Sequence, residues 1–257
     1  MEKRTSSLYQ SLSIIKQIAP ECFETIIDVG AQKQTDFLAE TFPESKHILF
    51  EPCSVYHDQL ISYYTDKGID HVVIQEPLSD KPRKMYLHHI SQDGSDNITH
   101  THLNLVAEEN MAHVKRIEPV DSTTLDDYYW NNMTPDMQYK FSIKIDVDGH
   151  EDAIINGGMD CIPAACFVIV EMSVGDSEQF ANRILNLHNR DFRIFDICDP
   201  GYYYGQLSQV DIVFINNAVR RRIEKFCPWN ISAGKVNWSK WQHKVPLHHS
   251  PYTVDFD

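Results

Sequence analysis

The chain has 257 residues, 42% hydrophobic and 23% charged, enough for one large α/β domain and too apolar for wholesale disorder. A net charge of -14 disfavours the basic face of a nucleic-acid binder and the anionic membrane surface. The composition therefore predicts no nucleic-acid partner and no membrane contact.

Residues 6–18 space Leu8, Leu12, Ile15 and Ile18 at helical intervals behind N-capping serines, and Pro20 ends the run. Glu24 to Gln32 reads as a short apolar strand broken at Gly30, followed by a helix over 35–41. His47 to Pro52 is a second strand, 54–67 a helix through Val55, Leu60, Ile61 and Tyr64, and His71 to Asp80 a third strand. This β-α-β-α-β rhythm opens a doubly wound parallel sheet.

Residues 81–120 break the rhythm. Lys84 to Ile90 reads as a strand. Ser91 to Asn104 is polar and turn-rich, which predicts a loop that closes as a lid. Its histidines, with His88 and His89, lack the spacing of a zinc site. Ile117 to Val120 reads as an edge strand, and Ser122 or Thr123 as the cap of a helix from Leu125. Phe141 to Val147 is the fourth core strand and Cys166 to Met172 the fifth. A helix over 176–189 follows, then two strands, Phe192 to Cys198 and Gln209 to Asn216, joined as an antiparallel hairpin.

The predicted fold is a Rossmann-like, seven-stranded, mostly parallel sheet with one antiparallel strand and helices on both faces. Its expected divisions are an N-terminal helix over 1–23, the main domain over 24–217 and a C-terminal extension over 218–257. The tail's Trp229, Trp238 and Trp241 would pack on the domain or form a homodimer contact. Six cysteines without a CxxC pair, and no apolar leader segment, predict a reducing, cytoplasmic setting.

Three features carry chemistry. Asp28 and Gly30 end the first strand, where glycine lets a ligand approach the backbone and the carboxylate suits a cationic group. Glu51 ends the second strand, the place from which a carboxylate takes ribose hydroxyls. The stretch Phe141 to Gly158 then puts Lys144, Asp146, Asp148, His150 and Glu151 at the exit of a buried strand, the end at which open α/β sheets bind ligands. Lys144 reads as the partner of a neighbouring acid.

In this order and spacing, IIDVGAQ, ILFEP, EPLSD, STTLDDYY, IKIDVDGHEDAIINGG, VIVEMS and QVDIVFIN resemble the FkbM family of S-adenosylmethionine-dependent methyltransferases over residues 24–217. Gln32 stands where the family's first motif has asparagine, Gln34 where it has a second glycine, and Asp148 where it has glutamate. The resemblance implies methyl transfer to a hydroxyl of a small-molecule acceptor such as a sugar or natural-product scaffold. It implies S-adenosylmethionine on Asp28, Gly30, Ala31 and Glu51, with Glu76 and Ser79 beside the adenine. Asp146, His150 and Glu171 are the expected catalytic residues, His150 being the natural base by pKa. Asp146, Asp148, Glu151 and Glu171 could gather oxygen ligands for Mg2+, although nothing in their spacing requires a metal. The rival readings are a noncatalytic cofactor-binding protein and a nicotinamide-dependent oxidoreductase. The single glycine at Gly30 argues against the latter.

Overall fold

The computed structural model describes residues 7–91, 97–108 and 113–223. In chain order the elements are α1 (Leu8–Ile18), β1 (Thr25–Val29), α2 (Asp36–Thr41), β2 (Lys46–Phe50), α3 (Ser54–Asp66) and β3 (His71–Ile74). Next come β4 (Arg83–Ile90), β5 (His100–Asn104), β6 (Val114–Ser122), α4 (Leu125–Asn132), β7 (Phe141–Ile145) and α5 (Glu151–Asn156). The chain continues through α6 (Cys161–Ala164), β8 (Phe167–Ser173), α7 (Ser177–Asn189), β9 (Phe192–Tyr203), β10 (Gln206–Asn216) and α8 (Asn217–Ile223).

Seven strands form one sheet in the order β3-β2-β1-β7-β8-β10-β9, with β10 antiparallel to both its neighbours. Strands β1 and β7 are buried along their whole length, as the apolar runs IIDV and FSIKI predict for a parallel sheet covered on both faces. Side chains alternate between two cores. Ile27, Ile143 and Val168 face α4, α5 and α7, whereas Ile26, Phe167 and Ile169 face α1, α2 and α8. The chain runs outward from β1 through β2 to β3 and returns to place β7 on the other side of β1. The crevice of such a sheet lies at the carboxyl ends of β1 and β7, where the strand order reverses.

The main departure from expectation lies between β3 and β7. The segment read as a loop contains β5, and β5, β4 and β6 form a separate three-stranded antiparallel sheet. HTHLN carries too few large apolar residues to announce a strand, and the strand is held by pairing with β4, from Tyr86–Asn104 to Ile90–His100. Ile117 to Val120 belongs to β6 of this second sheet and is not an edge of the main one. Smaller shifts are local. Thr124 caps α4 by accepting from Asp127 N at 2.9 Å. In α3 it is Tyr56, Leu60 and Tyr64 that are buried, while Val55 and Ile61 are exposed. Most of the C-terminal extension, its tryptophans included, lies outside the described residues. Among the described residues no helix is long and apolar enough to cross a membrane.

Gly30 fixes how closely β1 and β7 approach at the crevice. Its φ is +83°, and a Cβ there would overlap the Asp146 carbonyl oxygen. Gly30→Ala therefore combines a left-handed backbone with a clash against main chain. It should cost roughly 2–4 kcal/mol, measured as a drop in the urea midpoint.

Candidate active site

The cleft at the end of β1 is walled by both sheets. The main sheet contributes Gly30, Gln32, Glu51, Asp146 and His150. The small sheet contributes Leu87 from β4 and Thr101 and Leu103 from β5. Phe50, Pro77, Leu78 and Ile154 make the floor apolar. An apolar floor with a few polar anchors is the usual make-up of a small-molecule site.

Glu51 is buried, yet it borders this cleft. Its Oε2 accepts from Gln32 N at 2.7 Å and its Oε1 from Cys53 N at 2.8 Å. Burial pushes its carboxyl up to about 7, against the pull of those two amides and of Lys144. Each oxygen keeps a further lone pair for a hydroxyl donor. This pair of acceptors fits the ribose hydroxyls of an adenosyl group, and the apolar floor fits a flat base. Gln32, held at φ 47°, borders the cleft beside Gly30.

Lys144 is buried and donates to the Gly30 carbonyl at 3.0 Å. Its Nζ lies 3.2 Å from both Asp28 Oδ1 and Asp146 Oδ2. Burial alone would lower its pKa, but the Asp146 and Asp28 carboxylates outweigh that and leave it raised. Asp28 is paired with Lys144 and is not among the residues that line the cleft. Ala31 packs in an apolar cluster with Ala39, Leu49 and Leu60, also away from the cleft. Glu76 is exposed and outside it. Ser79 is buried and bonded to His150 Nε2 at 3.1 Å, so it too stands off the cleft wall.

Of the three expected catalytic residues, Asp146 and His150 border the cleft and Glu171 does not. Burial lowers the His150 pKa, Glu151 opposes that and Arg83 adds to it, so the imidazole is neutral at pH 7. Glu171 sits behind Asp146, hydrogen-bonded by Gln209 Nε2 at 2.7 Å. Burial, then Asp146 and Asp211, push the Glu171 carboxyl up to about 8. Asp211, directly opposite Glu171 in the β8–β10 register, is raised to about 7 by burial and by Asp146. Sequence reading missed Asp211; its signal was an acid inside the apolar run QVDIVFIN.

The oxygen set read for Mg2+ is not brought together. Glu151 is turned away, pairing with Arg183 at 3.2 Å and accepting from Gly149 N at 2.9 Å. Among the described residues no group of three or more His, Cys, Asp or Glu is arranged to hold a metal ion.

This geometry is that of a Rossmann-like nucleotide-cofactor crevice with ionisable groups beside it. Residues 28–194 match the methyltransferase FkbM domain, and the chain belongs to that family of S-adenosylmethionine-dependent methyltransferases. No curated protein matches it. Among solved structures it is similar to an rRNA methylase from Streptococcus thermophilus, with 11% identity, a TM-score of 0.47, and coverage of 84% of this chain and 98% of that one. It is also similar to Aeropyrum pernix fibrillarin with bound S-adenosyl-L-methionine, with 10% identity, a TM-score of 0.45, and coverage of 81% and 76%. These likenesses concern the fold. The expectation of a small-molecule acceptor with nucleic acid excluded is withdrawn, because the net charge of a whole chain does not give the charge of one face.

The carboxyl row predicts a pH dependence of stability. A carboxyl whose folded pKa is raised holds its proton more tightly folded than unfolded, so stability falls as pH rises from about 4.5 through about 8. Glu171→Gln keeps the neutral form at every pH. Its melting temperature should match wild type at pH 5 and exceed it at pH 8.5, by roughly 2–4 °C per kcal/mol of relieved repulsion. Parallel melting curves at both pH values would count against the raised carboxyl.

Proposed function

We propose that the protein transfers a methyl group from S-adenosylmethionine to a hydroxyl oxygen, with the cofactor's ribose on Glu51 and the acceptor beside Asp146 and His150. The observation that carries this reading is the single cleft bordered by all three residues, with Glu51 buried and its spare lone pairs available. Bound S-adenosylmethionine supplies an electrophilic methyl on a sulfonium centre. The chain's own work is to orient the acceptor, remove its proton and keep water out. Neutral His150 takes the hydroxyl proton as general base. Asp146, fixed by Lys144, accepts a hydrogen bond and orients the acceptor. The small sheet, through Leu87 and Leu103, covers the cleft and limits solvent access.

The test is incubation of the full chain with methyl-tritiated S-adenosylmethionine and separate pools of sugars, ribonucleosides and RNA. Label on a hydroxyl oxygen supports the reading, and label only on nitrogen or carbon contradicts it. Glu51→Ala should weaken S-adenosylhomocysteine binding at least about tenfold by calorimetry, or ~1.4 kcal/mol. His150→Gln should leave that affinity unchanged and lower kcat by about 10²–10⁴-fold. In wild type kcat should rise with pH through a limb below the ordinary histidine value, because only the neutral ring accepts a proton, and His150→Gln should abolish that limb.

A further inference from the structure

We propose that Ser79 and Asp80 are positioning residues that fix His150 as its Nε2–H tautomer and leave Nδ1 as the basic nitrogen of the site. The inference rests on the reading of His150 as the base and adds to it which nitrogen works and what holds it there.

A hydroxyl has one proton to give, and a carboxylate can only accept. Ser79 Oγ donates to Asp80 Oδ1 at 3.1 Å. The same oxygen lies 3.1 Å from His150 Nε2. With the serine proton committed to Asp80, Ser79 can only accept from the ring, so Nε2 carries the hydrogen. In the neutral ring Nδ1 is then unprotonated and basic. Asp80 is in turn ion-paired to Arg83 at the start of β4. The relay thus runs from the cleft through His150, Ser79 and Asp80 to the arginine. The charged groups around the ring are Glu151 on its own side, and Arg83 and Asp80 across from it.

The relay stands on rigid backbone. Ser79 N donates to Thr123 O at 2.9 Å, and Thr123 N to Pro77 O at 3.0 Å. Leu78 bridges Thr123. A Cβ on Gly157 would overlap the Ser79 carbonyl oxygen, so α5, which His150 leads, ends pressed against the serine it bonds. Both ends of the His150–Ser79 bond are therefore held by main chain, as a precise functional site requires. Ser79 is fully buried and off the cleft wall, which suits a role through His150 and not on a ligand.

The test needs no acceptor and no turnover, so it can fail separately from the methyl-transfer reading. In the full chain labelled with 15N-histidine, long-range proton–nitrogen spectra at pH 7.5 report both ring nitrogens, with His150→Gln identifying the signals. Wild type and Ser79→Thr should show a single tautomer, protonated at Nε2. Ser79→Ala should show nitrogen shifts averaged between tautomers. An Nδ1–H ring or an averaged ring in wild type overturns the proposal, whether or not Ser79→Ala folds. An unchanged spectrum in folded Ser79→Ala does the same. Calorimetry with S-adenosylhomocysteine should give Ser79→Ala the wild-type affinity; a lost affinity would assign Ser79 to the cofactor and overturn the positioning role.

Discussion

The Lys144 ammonium joins the two strands on which the cleft depends. It lies in register opposite Asp28 on β1 and reaches Asp146, two residues on and just past the end of β7. A buried ammonium is costly unless it is paired and hydrogen-bonded, and here two carboxylates and the Gly30 carbonyl do both. Removing one member of such a group leaves an uncompensated buried charge, worth roughly 3–5 kcal/mol. The same contacts orient Asp146 at the cleft wall and tie the Gly30 turn to β7. Asp28 therefore serves the cofactor cleft from behind, by holding Lys144.

Two electrostatic environments meet at Asp146. On the cleft side lie Glu51 and neutral His150, beside apolar walls that exclude water. Behind it runs a row of acids, Glu171 and Asp211, on adjacent strands and held partly protonated by burial and mutual repulsion. Environments that push titratable groups apart in pKa assign roles to each. In the proposed reading His150 takes the acceptor's proton, while burial and neighbouring acids raise Glu171 to about 8.

Much of this could be read from the sequence because period and position are local properties. The main strands, Gly30, Glu51 and the Asp146–His150 turn all follow from apolar runs ending in chemistry. What was not legible depends on partners distant in sequence. Asp28 looked like a ligand contact because nothing in DVGAQ says that Lys144 lies opposite. Ser79 looked like an adenine neighbour because its partner, His150, lies 71 residues away. The raised pKa of Glu171 was not legible, because it comes from burial in the sheet and from the Asp146 and Asp211 carboxylates. β5 was hidden because HTHLN becomes a strand only beside β4. Gln32 stood out as a departure from the family motif, and its backbone amide turns out to hold Glu51.

The central claim is that one cleft, built on Glu51 and closed by the small sheet, holds the cofactor beside Asp146 and His150. A crystal structure of the full chain with S-adenosylhomocysteine tests it most directly. The account predicts the ribose hydroxyls on the Glu51 carboxylate, the base against Phe50 and Leu78, and Asp28 still paired with Lys144. A ligand bound outside this cleft, or one that draws Asp28 away from Lys144 and leaves Glu51 untouched, would contradict it.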